Sequence, residues 1–193
     1  MGTSFIWIIA GYLLGSIPFG LLLTRMIGVD IRQVGSGNIG TTNVLRTGNK
    51  GLAAATLLLD GGKGAAALLL ARHFGGVEAG MLAGFAAFIG HCYPVWLKFR
   101  GGKGVATLLG VALAAVPLAG LAALLAWAAG AVATKHSSVG GMASAVAAPL
   151  AAWALGAPHA AIALAVMAAI LVWKHRDNIA RLRDGTESRI GAK

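Results

Sequence analysis

Residues 35–46 read GSGNIGTTNVLR, and what surrounds them decides the fold. Taken alone, Gly35-Ser36-Gly37-Asn38-Ile39-Gly40 is a GxGxxG with Asp60 placed 20 residues beyond Gly40, the outline of a dinucleotide-binding turn. That turn needs a strand before it, a helix after it and a soluble βαβ unit around it. Here the flanks are apolar stretches of membrane length, Ser4 to Leu23 before and Gly51 to Ala71 after. The dinucleotide reading fails on that context. What remains is a polar, glycine-rich loop between hydrophobic helices. Its backbone N–H groups, the Ser36, Thr41 and Thr42 hydroxyls, the Asn38 and Asn43 amides and the Arg46 guanidinium suit an anion such as phosphate. The alternative is a structural turn with no ligand.

Composition supports the membrane reading. The 193 residues are 58% hydrophobic and 11% charged, with a mean hydropathy of +0.78; soluble domains carry about 25% charged residues. The expectation is an all-α, polytopic integral membrane bundle, one membrane-embedded domain over residues 1–193. Cys92 is the 1 cysteine, which excludes a disulfide framework. Ser4 to Leu23 is too long for a signal-peptide core and no basic region precedes it, so it reads as a retained first span. The net charge of +10 would suggest nucleic acid in a soluble protein. In a membrane protein its placement matters instead, and no nucleic-acid partner is expected.

Transmembrane helices are expected at about 4–26 (kinked at Pro18), 51–71, 77–97, 104–116, 117–133, 140–155 and 159–173. Residues 104–133 are too long for one span of about 20 residues, and Pro117 divides them. Seven spans put the termini on opposite sides. Of the 16 basic residues, Arg72 alone falls on one side and Lys63 lies inside the second helix. The rest, Arg25 at the end of the first helix and the basic residues of the 28–50, 98–103 and 135–138 stretches and the tail, gather on the other side. Lys and Arg favour the cytosol, so the N-terminus is expected outside and the tail and motif loops in the cytosol, in a bacterial inner membrane. Merging the fourth and fifth helices would give six spans and reverse the last loops and the tail.

Three further constellations carry chemistry. Arg100-Gly101-Gly102-Lys103-Gly104 pairs glycines, which let backbone approach an anion, with a lysine just before a helix N-terminus. It is not a P-loop, since no G-x-x-x-x-G precedes the lysine and no Ser or Thr follows it; for Lys98 and Arg100 headgroup anchoring is the stronger reading. In residues 175–187, HRDNIARLRDGTE, helical spacing puts His175 and Asn178 on one face, an acid/base and orienting pair. A basic amphipathic tail on anionic lipid is the alternative there. Asp60 and Lys63 are an intramembrane ionisable pair one turn apart, functional or mutually neutralising. His91 with Pro94, and Ser137 with Ser138, are weaker candidates. No His/Cys/Asp/Glu cluster has metal-ligand spacing, so neither a metal nor a cofactor is expected.

Three stretches in order, GSGNIGTTN (35–43), FRGGKGVAT (99–107) and HRDNIARLRDGTE (175–187), resemble the signature motifs of the bacterial PlsY family of acyl-phosphate:glycerol-3-phosphate acyltransferases. Asp60 to Gly64 and Gly90-His91-Cys92-Tyr93-Pro94 are similar too, so the resemblance covers essentially the whole chain. It implies transfer of a fatty acyl group from acyl phosphate to the 1-hydroxyl of glycerol 3-phosphate, giving lysophosphatidic acid and phosphate in phospholipid synthesis. The implied partners are those two substrates, membrane lipid and the enzyme that supplies acyl phosphate. Ser36, Arg46, Lys103, His175 and Asn178 carry over as catalytic. Gly35, Gly37, Asn38, Gly40, Thr41, Thr42, Asn43, Lys63, Gly101, Gly102, Gly104, Ser137 and Ser138 are read as substrate-binding, and Glu187 and Asp60 as structural. The His-x4-Asp signature of acyl-CoA-using relatives is absent.

An acyl phosphate is a mixed anhydride, so phosphate leaves readily and the task is to bring two anions together. Arg46, Lys103 and Lys63 offset charge in this reading, and direct transfer ranks above an acyl-enzyme on Ser36. The proton acceptor stays open between His175 and the substrate phosphate. The rival from another class is a carrier of phosphorylated solutes. Carriers place their site near the midplane between repeated halves, and the sequence shows no internal repeat.

Overall fold

The computed structural model describes residues 2–191, with backbone alone for residues 2–4. Lys193, counted above with the basic tail, lies outside the described residues. Among the described residues there is no strand. The chain forms two compact units, Met1–Val111 and Ala112–Lys193.

The first unit holds α1 (Gly2–Gly15), α2 (Phe19–Arg25), α3 (Thr41–Leu45), α4 (Lys50–Cys92) and the start of α5 (Val105–Ala115). The first helix was expected to kink at Pro18; it breaks there instead. Proline has no N–H to continue the ladder, and α1 stops at Gly15. The Ile17 carbonyl left by the break accepts a 2.8 Å hydrogen bond from Lys63 Nζ. Asn49 starts α4 by accepting from the Leu52 N–H at 3.0 Å, an N-cap that satisfies an otherwise orphaned donor.

The stretch labelled α4 is two helical arms joined at Gly76, where φ is 89° and ψ 175°. Only glycine adopts that backbone at little cost. A Cβ added at Gly80 would stand 2.9 Å from the Leu68 carbonyl oxygen, and one at Gly84 3.2 Å from Leu68 Cβ. Residues 50–75 and 77–92 therefore run antiparallel. The second arm ends at Cys92, not at residue 97 as the sequence suggested. Pro94 disfavours helix in the residue before it, and Val95–Leu97 make only a single 3₁₀ turn.

Close packing rests on small residues. Gly11 and Gly15 of α1 face Ala83 and Ala87, and Gly110 of α5 faces the backbone of Gly61. Ala67, Ala71, Ala79, Ala83 and Ala87 form a buried cluster. In lipid there is no hydrophobic drive between helices, so backbone proximity and van der Waals contact hold them. The pattern is inverted relative to a soluble core: Asp60, Lys63, His91 and Thr107 are buried, while Leu58 and Phe74 are 73% and 71% exposed.

The second unit contains the end of α5, then α6 (Pro117–Thr134), α7 (Ser137–Ala154), α8 (Pro158–Lys174) and α9 (Arg176–Arg183). Pro117 and Pro158 each sit in the first turn of a helix, where their missing N–H costs nothing. A Cβ on Gly120 would lie 2.7 Å from Leu113 Cγ, so the chain doubles back at Val116–Pro117. Lys135 (φ 62°) and Gly156 (φ 72°) turn the chain after α6 and α7. α7 begins at Ser137, not at residue 140, so Ser137 and Ser138 stand in its first turn and not in a loop. α8 bends by 54° into α9.

Among the described residues, three helical stretches are long and apolar enough to cross a bilayer: Phe5–Arg25, Lys50–Leu97 and Pro117–Thr134. A fourth arises if α8 and the bent α9 count as one.

Candidate functional site

In the first unit the glycine-rich stretch is a loop organised by one amide. Asn43 is 2% exposed. Its Oδ1 accepts from the Ser36 N–H at 3.1 Å and from Arg46 Nη1 at 3.2 Å. Its Nδ2 donates to the carbonyls of Ile31 and Val34 at 3.0 and 2.8 Å. Gly35 (φ 53°) and Gly37 (φ 69°) take left-handed backbone. A Cβ on Gly35 would come within 2.6 Å of Asn43 Oδ1 and 2.8 Å of the Arg46 side chain. The glycine is thus required by the same hydrogen bonds that place Ser36 beside Arg46. Gly40 caps the short α3, whose Thr41 hydroxyl is buried without a hydrogen-bond partner.

At the loop entrance, Asp30 accepts from the Arg32 N–H at 3.1 Å and pairs with its guanidinium. The guanidinium hydrogen bond, with backbone and charge contributions behind it, holds the Asp30 carboxyl at about 2. The sequence offered Asp30-Ile31-Arg32 no role; a short Asp-x-Arg before a glycine run was the available signal.

The second glycine stretch folds back on the end of α4. The Gly101 and Gly102 N–H groups donate to the carbonyls of Cys92 and His91 at 3.2 and 3.0 Å. A Cβ on Gly102 would run into the His91 ring, and one on Gly104 (φ 91°) into Phe88 and Cys92. Lys103 is therefore carried between two glycines seated against the last turns of α4. Lys98 and Phe99 take positive φ, 51° and 60°, a conformation that non-glycine residues adopt only when the surroundings hold them there. A cavity of about 460 Å³ lies between the two loops, lined by Gly37 and Ile39 from one and Arg100 and Gly101 from the other, with Arg32, Trp96, Leu97 and Lys98. It brings the first and second motifs together.

Asp60 and Lys63 form a buried ion pair at 2.6 Å, and His91 Nδ1 lies 3.6 Å from the same carboxylate oxygen. The sequence pointed to the pair but gave His91 only weak standing, because residues 31 apart show no periodicity linking them; the fold at Gly76 brings them together.

In the second unit the third motif closes on Glu187. Its carboxylate accepts from Ser138 Oγ at 2.8 Å, Asn178 Nδ2 at 2.5 Å and Arg181 Nε at 2.7 Å. Its backbone carbonyl meets His136 Nε2 at 3.2 Å. Burial pushes the Glu187 carboxyl up, but the hydrogen bonds from Asn178, Ser138 and Arg181 outweigh it and hold the group below its ordinary value. Glu187 therefore ties the tail to the first turn of α7, and both Ser138 and Asn178 spend hydrogen bonds on it. His175, 3% exposed, sits at the α8–α9 bend with Nδ1 2.8 Å from the Leu171 carbonyl oxygen. A carbonyl only accepts, so Nδ1 carries a proton and donates to it.

Among the described residues no group of three His, Cys, Asp or Glu side chains is arranged to hold a metal ion.

Comparison with known proteins bears on this arrangement over nearly its full length. The family model for glycerol-3-phosphate acyltransferase matches residues 5–185. The glycerol-3-phosphate acyltransferase of Ruegeria sp. (strain TM1040) is 58% identical over 184 residues, 95% of this chain and 91% of the relative. That of Agrobacterium fabrum is also 58% identical, covering 95% and 90%. The crystal structure of PlsY, an integral membrane glycerol 3-phosphate acyltransferase, in its glycerol 3-phosphate form matches with a TM-score of 0.93 at 37% identity, over 97% of this chain and 96% of that one. Its lysophosphatidic acid form matches with a TM-score of 0.90 at 36% identity, over 97% and 95%. With a family model over residues 5–185, which takes in the first two motifs and most of the third, and relatives along almost the whole chain, this protein belongs to the glycerol-3-phosphate acyltransferase family, the PlsY family of integral membrane proteins.

Proposed function

We propose that this chain transfers a fatty acyl group from acyl phosphate to the 1-hydroxyl of glycerol 3-phosphate. The observation that carries the reading is the match over nearly the whole chain to a PlsY structure in both glycerol 3-phosphate and lysophosphatidic acid forms, one the acyl acceptor and the other its acylated product. The acyl carbon–oxygen bond to phosphate breaks, a bond from that carbon to the C1 oxygen forms, and the hydroxyl proton passes by way of His175 to the departing phosphate. The products are lysophosphatidic acid and inorganic phosphate.

The residues of the first unit take the anionic groups. Arg46 and Lys103 supply charge, the Gly35–Gly40 backbone, Asn38 and Thr42 line the cradle with Gly101, Gly102 and Gly104, and the buried Thr41 hydroxyl is a donor in want of an acceptor. Ser36 donates a hydrogen bond to the reacting group and does not attack it; an anhydride needs less activation than an ester, and stabilising developing charge is the larger effect. Asn43 is placed by its four bonds to hold Ser36 and Arg46 together. In the second unit His175, oriented by its Nδ1 hydrogen bond to the Leu171 carbonyl, accepts the hydrogen bond of the attacking hydroxyl at Nε2. Asn178 orients, Glu187 fixes Asn178, Ser138 holds the start of α7 to the tail, and Ser137 beside it binds substrate.

The topology we propose has seven spans, N-terminus outside and C-terminus cytosolic, in the inner membrane with the motif loops toward the cytosol. The antiparallel fold of α4 at Gly76 supports counting its arms as two, and the basic residues of the motif loops support the orientation. The acyl chain lies against lipid while glycerol 3-phosphate arrives from the cytosol.

The test uses purified protein with labelled glycerol 3-phosphate and either palmitoyl phosphate or palmitoyl-CoA. Lysophosphatidic acid formed with the acyl phosphate alone is the expected result. Product from palmitoyl-CoA overturns the donor assignment, and no product from either donor, with uptake of glycerol 3-phosphate into proteoliposomes, makes the chain a carrier.

A further inference from the structure

We infer that the buried Asp60–Lys63–His91 cluster is a positioning device for the Gly101–Gly104 loop, and that Lys63 and His91 act on substrate only through Lys103. The inference rests on the reading above for what Lys103 does.

The first observation is that Lys63 is already engaged. Its side chain is 1% exposed, with Nζ 2.6 Å from Asp60 Oδ1 and 2.8 Å from the Ile17 carbonyl oxygen. It also stands 5.6 Å from the centre of the Phe19 ring. An ammonium has three donors; two are directed at fixed protein oxygens and the charge is met by a carboxylate. A group held this way is a poor ligand for an incoming phosphate. It is well suited to closing the break between α1 and α2, whose freed carbonyl it caps.

The second is where the cluster leads. Asp60 is fixed at both ends: its carboxylate holds Lys63, and its backbone carbonyl accepts from Thr107 Oγ1 at 3.0 Å, tying the first arm of α4 to α5. The same carboxylate oxygen faces His91 Nδ1 at 3.6 Å. His91 touches the loop twice, since its carbonyl accepts from Gly102 N–H at 3.0 Å and its ring fills the space a Gly102 Cβ would need. The next residue is Lys103. Ring orientation at His91 thus sets the depth at which the loop sits, and with it the height of the Lys103 backbone.

Third, apolar packing would hold these helices as well. Buried ion pairs contribute little net stability compared with hydrophobic replacements of the same shape, and ionisable groups inside a membrane are retained for function. A cluster joining the break at Pro18, both arms of α4 and the start of α5 to a glycine loop is suited to fixing geometry.

A double-mutant cycle reads this directly. Wild type, His91→Ala, Lys103→Ala and the double variant are compared for kcat/KM, for the Kd of glycerol 3-phosphate, and for melting temperature. His91→Ala is expected to lose at least about tenfold in kcat/KM with Lys103 present and less than about twofold with Lys103→Ala, since coupled residues are not additive. Gly102→Ala, which pushes a methyl into the ring, is expected to lose activity and to recover part of it when combined with His91→Ala. Additive losses in the cycle, no relief of Gly102→Ala, or variants that lose melting temperature but keep kcat/KM overturn the inference. If His91→Ala does not fold, His91→Gln runs the same cycle; failure of both to fold makes the cluster purely structural and also overturns it. A wild type that fails to make lysophosphatidic acid sinks the acyl-transfer reading instead, and the Kd cycle still decides this one.

Discussion

Asn43→Ala is the substitution whose consequence the structure fixes most tightly. It removes the acceptor shared by Ser36 N–H and Arg46 Nη1 and the donor shared by the Ile31 and Val34 carbonyls. A neutral hydrogen bond contributes about 0.5–1.5 kcal/mol net and one to a charged group about 1.5–3. Three neutral bonds and one to a guanidinium therefore sum to about 3–7.5 kcal/mol, of which non-additivity leaves the lower part. The loss falls on a loop outside the long helices, so it loosens the loop without unfolding the bundle. At about 1.4 kcal/mol per tenfold, 3 kcal/mol converts to a fall in kcat/KM of about 100-fold. Melting should shift by only a few degrees. The assay is initial-rate acyl transfer in detergent, with amide exchange over residues 30–48 as the structural readout. Asn43→Asp keeps the acceptor and loses both donors, and so should fall between wild type and Asn43→Ala. If Asn43→Ala stays within twofold of wild type, or loses activity with no added exchange in the loop, the reasoning is wrong.

Other outcomes follow from single features. Gly35→Ala, forced to φ 53° with its methyl 2.6 Å from Asn43 Oδ1, should lose activity about as far as Asn43→Ala, measured in the same assay. Glu187 is held below the ordinary 4.5 in the folded state, so its contribution is complete above that value and is lost as the pH falls through the folded value. Wild type should accordingly melt at progressively lower temperature below about pH 4.5, and Glu187→Gln should start lower at neutral pH and lack that component. Arg46→Ala and His175→Ala should each lose most turnover, about 100-fold or more, while the protein still inserts, as membrane fractionation and acyl-transfer rates together would report.

The helical membrane character was legible because composition alone excludes a soluble fold, and the prolines and glycines that divide helices were legible where they act locally. Pro117, Pro158 and Gly156 mark turns by their own backbone limits. Pro18 was harder: whether a proline kinks or breaks a span depends on what takes the freed carbonyls, and here Lys63 takes that of Ile17, 46 residues before it. The turn at Gly76 was legible as the gap between the spans expected at 51–71 and 77–97; less legible was that the helical arm continues past residue 71 up to the glycine whose φ of 89° reverses the chain. In the candidate site, the chemical types were readable and the internal bonding was not. Asn43 read as one more polar group on an anion loop, whereas its amide binds four groups of the loop itself. His91 was obscured because its partners come from the other arm of α4 and from a loop that folds back, contacts with no trace in local periodicity.

The most direct test of the central claim is a joint measurement of inorganic phosphate and lysophosphatidic acid from purified protein given palmitoyl phosphate and labelled glycerol 3-phosphate. The account predicts equimolar release of the two, each dependent on both substrates. Phosphate released without lysophosphatidic acid, or lysophosphatidic acid formed without matching phosphate, would contradict it.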